Sequence, residues 1–282
     1  MLTPLPTADG SSTFFSAEFG EWFHSRQGAY TEAQQTYAVV TQLAQRSQTA
    51  SELVLLDVCY GLGFNTAAAL TAIWQANPDC RVVLRALEID AQVPRDAIAA
   101  SLIIHWPPPV QTVLAALATE HRCNTPLLEA QLIIGDARQT IQPLAASYQA
   151  DAIFLDPFSP PRCPQLWTVE FIQQVARCLK PAGRLATYSC AAAVRTALLQ
   201  AGLRIGSTPA AGRRWPGTVA SYAAEPLPPL SQQEQEHLKT RAAVPYRDPT
   251  LSAPAAEIVA ARQQVQQQSA LEPTGRWRRR WL

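Results

Sequence analysis

The chain has 282 residues, 48% apolar and 16% charged, with 23 basic against 22 acidic side chains and a net charge of +1. That length allows one large domain, or a domain with an appendage, and is ample for a buried core. The apolar fraction excludes wholesale disorder, and 12 Gly and 23 Pro without a short period exclude a fibrous chain. No apolar run approaches the ~18 residues of a membrane helix. Residues 1–12 lack the basic start and apolar stretch of a signal peptide, so a soluble, cytoplasmic protein is expected.

The near-neutral sum conceals an asymmetry. Residues 1–194 carry 11 basic and 16 acidic side chains, giving −5, whereas residues 195–282 carry 12 and 6, giving +6. Of the 23 basic residues 21 are Arg, whose planar fork suits phosphate. They cluster at Arg213-Arg214 and between Arg276 and Arg280. An acidic core carrying a basic nucleic-acid surface is one reading, and a solvated Arg-rich tail is the other. The six cysteines show no C-x-x-C pair and the four histidines are scattered, so no metal site is expected.

In chain order, residues 31–45 read as a helix after the Gly28 turn, following an aromatic-rich start. Residues 53–58 (LVLLDV) form a continuous apolar run ended by Gly61 and Gly63, as a buried parallel strand does. Helix 65–75, strand 81–88 and helix 91–102 follow, the last broken by Trp106-Pro107-Pro108-Pro109. Residues 110–120 read as helix, then 131–134 and 152–155 as strands ending at Gly135-Asp136 and Asp156-Pro157. Helix 169–179, strand 184–188 and helix 191–200 come next, and 203–207 with 219–222 form a closing hairpin. Alternation of strand and helix predicts an α/β, doubly wound, mostly parallel sheet. From Pro226 the chain turns Pro- and Gln-rich, with polar helices at 231–241 and 255–268. The expected division is a domain over 1–225 and a basic, mostly helical extension over 226–282.

In a doubly wound sheet ligands sit beyond the carboxyl ends of the strands. Asp57, Glu88, Asp136 and Asp156 all stand at such ends. Gly61 and Gly63 would let the backbone approach a nucleotide-like ligand, with the helix that opens at Asn65 facing it. Thr66 stands where the dinucleotide fingerprint needs its third Gly. Glu88, 25 residues past Gly63, is placed for ribose hydroxyls, Gly135-Asp136 for an adenine amino group, and Asp156-Pro157-Phe158 for the acceptor of a donated group.

This order resembles S-adenosylmethionine-dependent methyltransferases. The series Phe15-Ser16, Asp57 to Asn65, Glu88, Gly135-Asp136, Asp151 to Pro160, Pro164 to Thr168, Lys180 to Tyr188 and Val194-Arg195 resembles the MnmC-like methyltransferase domain. Cys59 replaces the first Gly of the loop, Pro157 a Gly after the acceptor acid, and Gly212-Arg213-Arg214 partly keeps a basic segment. The resemblance implies a Rossmann-like methyltransferase fold, S-adenosyl-L-methionine as cofactor, and methylation of the 5-aminomethyl group of wobble (2-thio)uridine in tRNA, without the flavin domain of two-domain members. The expected cofactor residues are Asp57, Gly61, Gly63, Asn65, Glu88 and Asp136, and Asp156 is the expected catalytic acid. Phe158, Trp167 and Tyr188 are expected around the flipped base, and Arg195, Arg213 and Arg214 at the phosphates of the anticodon stem-loop. An upstream wobble-uridine-modifying enzyme is implied as the source of the amine. Two alternatives stay open: a polyamine aminopropyltransferase-like enzyme, with no use for the basic third, and a non-catalytic RNA-binding relative, for which Cys59 argues.

Overall fold

The computed structural model describes residues 2–281. Four two-residue strands open it: β1 (Leu5–Pro6) pairs with β2 (Ser12–Thr13), and β3 (Phe15–Ser16) with β4 (Glu21–Trp22). Helical residues follow as α1 (Ala29–Glu32), a π-helical stretch (Ala33–Ala38) and α2 (Leu43–Ser47). The expected single helix over 31–45 is therefore interrupted, because Gln42 takes a left-handed conformation (φ 59).

Eight longer strands make one sheet: β5 (Glu52–Val58), β6 (Arg81–Glu88), β7 (Arg122–Thr125), β8 (Leu128–Ile134), β9 (Ala150–Leu155), β10 (Leu179–Thr187), β11 (Arg204–Thr208) and β12 (Gly217–Ser221). Their spatial order is β11-β12-β10-β9-β5-β6-β8-β7. The five inner strands from β10 to β8 are parallel, while β7 and β12 run against them and β11 pairs antiparallel with β12 at the edge. Strand β5 is both the first in sequence and central, so the chain winds outward in both directions from the β5/β9 boundary. A crevice opens at that switch point beyond the carboxyl ends. The edge strand β7 lacks an apolar signal (RCNT), which is why the sequence pattern passes over it.

The intervening helices are α3 (Phe64–Ala76), α4 (Gln92–Ala99), α5 (Pro108–Glu120), α6 (Ala137–Leu144), α7 (Val169–Arg177) and α8 (Ala192–Gln200). Successive strand residues point to opposite faces, and β5 shows the consequence. Leu53 and Leu55 join a core with α3 and α5, whereas Leu56 and Val58 join another with α7 and α8. Helix α6 was not expected; Asp136 caps it, its carboxylate accepting the Arg138 N–H.

Residues 226–282 contain α9 (Gln232–His237), a 3-10 turn (Arg241–Ala243), α10 (Ala255–Gln268) and α11 (Thr274–Trp281). They lie against the sheet domain: Tyr246, Leu251 and Ile258 are buried in the core that holds Phe171 and Val175 of α7. The extension's shortage of large apolar residues is met by borrowing that core. Helix α11 is held by Trp277, which is buried, stacks on His237 at 4.2 Å and donates to the Gln233 carbonyl. Among the described residues no helix is long and apolar enough to cross a membrane.

Candidate active site at the carboxyl edge of the sheet

A cavity of about 840 Å³ lies at the switch point. Its floor is the β5–α3 loop (Cys59, Tyr60, Gly61, Leu62), with Glu88 as the last residue of β6, Asp136 after β8, Asp156 after β9 and Tyr188 after β10. Four strand ends therefore deliver polar side chains to one space, as the doubly wound reading requires. Gly61 and Gly63 both have positive φ, 56 and 82. Cys59 shares that backbone (φ 70), a conformation that costs a residue with a Cβ about 1–2 kcal/mol. Cys59→Gly is expected to raise the thermal unfolding midpoint slightly while leaving cofactor affinity unchanged; titration calorimetry and a melting curve check both.

Glu88 is buried, and its carboxylate accepts the N–H groups of Gly61 (2.8 Å), Ile89 (2.9 Å) and Asp90 (3.0 Å). Three bonds leave one of the roughly four lone-pair sites of a carboxylate for a ligand hydroxyl. Asp136 faces the same cavity, gripped by Arg138. Gly63 and Asp57 do not line it. Asp57 lies fully buried behind the loop, where Oδ2 accepts the Thr66 hydroxyl at 2.7 Å. Burial, with the charge of Glu88 adding to it, pushes its carboxyl up to about 7. The expectation of direct contact is corrected for these two: they shape the turn, because the strand register points Asp57 into the core.

Asp156 occupies the other end. Its Oδ2 accepts Nδ2 of Asn65 at 2.8 Å. Burial and the nearby charge of Glu32 push this carboxyl up to about 8, with Tyr37, Asn65 and Arg213 opposing them. Arg213 lines the cavity, ion-pairs with the buried Glu32 and sits 4.2 Å above the Tyr188 ring. Tyr188 donates to the Pro157 carbonyl at 2.8 Å, fixing the loop that carries Asp156. Phe158 lines the cavity and stacks on Phe19 at 4.4 Å.

Two further expectations are corrected. Trp167 is fully buried and outside the cavity, with Nε1 donating to the Phe158 carbonyl at 2.8 Å. It supports the acceptor loop from beneath and cannot stack on a base. Arg195 is only 1% exposed: it bonds Thr218 Oγ1 (2.9 Å), the Gly217 carbonyl (3.1 Å) and Glu234 (2.7 Å). It joins α8, β12 and α9, and its burial keeps it away from any phosphate at the surface. Arg214 stays exposed, 5.1 Å above the exposed Trp215.

The cavity also has a wall that the strand-end reading did not locate. Phe15, Phe19, Trp22, Phe23 and His24 close it from the N-terminal side. Their density of aromatics was the available signal. His24 is buried against Phe64, and burial and Arg213 hold its imidazole down at about 3, hence neutral. The Oδ1 of Asn65 and the Oε1 of Gln165, both on lining residues, are buried without a partner among the described residues. Unpaired buried acceptors are costly, and donors on a ligand would satisfy them. With the free site on Glu88 and the open glycine turn, this donor-seeking wall fits an adenosine bearing an ammonium group.

Residues 102–223 match the family model described as S-adenosyl-L-methionine-dependent methyltransferase. That segment is similar to S-adenosyl-L-methionine-dependent methyltransferases. The fold of the chain is similar to the crystal structure of MnmC2 from Aquifex aeolicus, with a TM-score of 0.83 at 29% identity over 95% of this chain and 86% of that one. Its sequence is 29% identical over 254 residues to the tRNA 5-methylaminomethyl-2-thiouridine biosynthesis bifunctional protein MnmC of Cupriavidus necator, covering 83% of this chain and 37% of the relative. It spans about a third of the MnmC relatives it matches. It is also 26% identical to an uncharacterized protein of Methanocaldococcus jannaschii, over 92% of this chain and 71% of that protein.

Proposed function

We propose that this protein transfers a methyl group to the primary amine of 5-aminomethyl-(2-thio)uridine at the wobble position of tRNA. The observation that carries the proposal is the placing of Asp156: a half-buried carboxylate held by Asn65 at the end of β9, in an aromatic-walled cavity, next to strand-end groups suited to adenosine. The names of the relatives, tRNA 5-methylaminomethyl-2-thiouridine biosynthesis, support the substrate class.

Glu88, Asp136 and the Gly61 turn would hold S-adenosylmethionine, with Asn65 Oδ1 as acceptor for its ammonium, and the cofactor would supply an electrophilic methyl on a sulfonium. The chain's own residues must present a nucleophile in line with it. A primary alkylamine is mostly ammonium at pH 7, its reference lying near ~10.4. Asp156 orients the amino group and accepts its proton, freeing the lone pair. Arg213, held by Glu32 and the Tyr188 face, opposes a second cation in the pocket and so favours the neutral amine. Phe158 and Tyr188 bound the space for the uracil.

Residues 1–225 are the proposed catalytic unit and 226–282 the extension, in the cytoplasm, downstream of an enzyme that supplies the amine. RNA phosphates would meet Arg214 beside Trp215 and the exposed Arg276, Arg278 and Arg279 of α11. Arg280 is taken by Glu236 and Glu272. Replacing Arg276, Arg278 and Arg279 with Ala should flatten the dependence of log K on log salt by roughly 0.7–0.9 for each phosphate no longer neutralised. Arg280→Ala should leave the slope unchanged; filter binding across a salt series reads both. The activity itself is tested with labelled S-adenosylmethionine and tRNA lacking the final methyl, followed by nucleoside mass analysis. Label in the wobble uridine is expected, and its absence overturns the reading.

A further inference from the structure

The C-terminal extension reaches the cavity through one guanidinium. Arg138, in the first turn of α6, places Nη2 2.7 Å from Asp136 Oδ2 and Nε 3.2 and 3.1 Å from the two carboxylate oxygens. Its remaining nitrogen, Nη1, meets Asp248 Oδ2 at 3.2 Å and the Ala253 carbonyl at 2.9 Å. Asp248 lies between the 3-10 turn and α10, with a side chain wholly withdrawn from solvent. Its own backbone N–H donates to Glu170 (2.8 Å), and the Ala253 N–H and Thr250 hydroxyl donate to its carboxylate. A buried carboxylate needs a charged partner, and Arg138 is the ion-pair partner of Asp248 among the described residues. The cation that grips a cavity-lining acid is thus itself anchored 110 residues further along the chain. Gln165, the lining residue with an unpaired buried Oε1, belongs to a 3-10 turn packed against both α6 and α10.

We propose that the extension is a working part of the cofactor site: Asp248 is a positioning residue that, through Arg138, holds Asp136 in the orientation that meets the adenine amino group of S-adenosylmethionine. The proposal rests on reading Asp136 as the adenine acid. The effect is preorganisation. The Asp136 side chain is about a third exposed; its cap bond from the Arg138 N–H holds Oδ1, and a guanidinium tethered at one end only would leave Oδ2 free to swing toward solvent. With Asp248 and Ala253 fixing the far side, the fork has one orientation. The extension then contributes to adenosine recognition whether or not it touches RNA.

The test is calorimetric titration of the full chain with S-adenosylhomocysteine and with its 6-oxo (inosine) analogue, which presents an acceptor in place of the amino group. Wild type is expected to prefer the adenosine compound. Asp248→Asn keeps the shape but removes the charge, and should weaken S-adenosylhomocysteine about tenfold, the worth of one charge-assisted hydrogen bond. It should also narrow the preference over the inosine analogue. Arg138→Lys, which keeps the charge but loses the fork, should do the same. Arg247→Ala breaks an exposed pair to Glu170 on the same segment and should bind as wild type. The proposal is overturned if Asp248→Asn binds as wild type, if both nucleosides weaken equally, or if Arg247→Ala matches it. Asp136→Ala separates the two readings: wild-type affinity there removes the adenine assignment and the proposal with it. Weakened Asp136→Ala beside unaffected Asp248→Asn overturns the proposal alone.

Discussion

Asp156→Asn is expected to slow methyl transfer severely while leaving S-adenosylhomocysteine binding intact. The expected loss in kcat is about 100- to 10,000-fold, the range for removing a positioned proton acceptor. Asn keeps the size and one acceptor oxygen, so the bond from Asn65 survives and the cavity stays intact. The pH profile sharpens the test. The Asp156 carboxyl is pushed up to about 8 by burial and by Glu32, so below that point it carries a proton and cannot take the one on the amine. Activity in wild type should therefore rise about tenfold per pH unit from pH 6 and level off above about 8. Removing the charge of Glu32 (Glu32→Gln) removes a cause of the upward shift and should move the inflection to lower pH. Full turnover in Asp156→Asn, measured by methyl incorporation, would sink the assignment.

The second large effect lies outside the cavity. Arg195→Met should destabilise the fold by about 3–5 kcal/mol, because it leaves Glu234 and the Gly217 carbonyl facing a buried apolar side chain. That corresponds to a fall in Tm of roughly 10 °C for a chain of this size. Glu234 also bonds Ser207 and closes the capping box of α9 with Ser231, so the loss should loosen the start of the extension too. Adding Glu234→Gln to Arg195→Met should recover part of the loss, since the unpaired buried charge is gone. Salt dependence of RNA binding should not change in the folded fraction. A change of about one unit in that slope would restore Arg195 to the phosphate surface.

The contrast between these two residues shows what local reading of the chain can reach. Asp156 was legible because an acid directly after a continuous apolar strand, followed by Pro157-Phe158, has a structural meaning set within a few residues. The same holds for Glu88 and for the Gly61 turn. Arg195 and Arg214 look alike in sequence, both basic residues in a basic third. One is held among α8, β12 and α9, and the other lies on the surface over Trp215. Trp167 and Phe158 likewise differ only in which side of the acceptor loop each occupies.

Strand periodicity, turn glycines and strand-end acids are encoded by neighbours in the chain, and they were sufficient for the doubly wound sheet, its switch point and the acids that meet there. Burial, pairing and cavity walls depend on partners far away in sequence. Glu32 meets Arg213 across 181 residues, Glu21 meets Ser159 across 138, and Asp136 is tied through Arg138 to Asp248. No spacing rule carries such contacts, because they are set by the path of the folded chain. The tertiary structure alone therefore decided that aromatics of the N-terminal segment close the cavity. It also decided how the basic extension docks: Tyr246, Leu251 and Ile258 enter the core, and Asp248 reaches the Asp136 end of the cavity through Arg138.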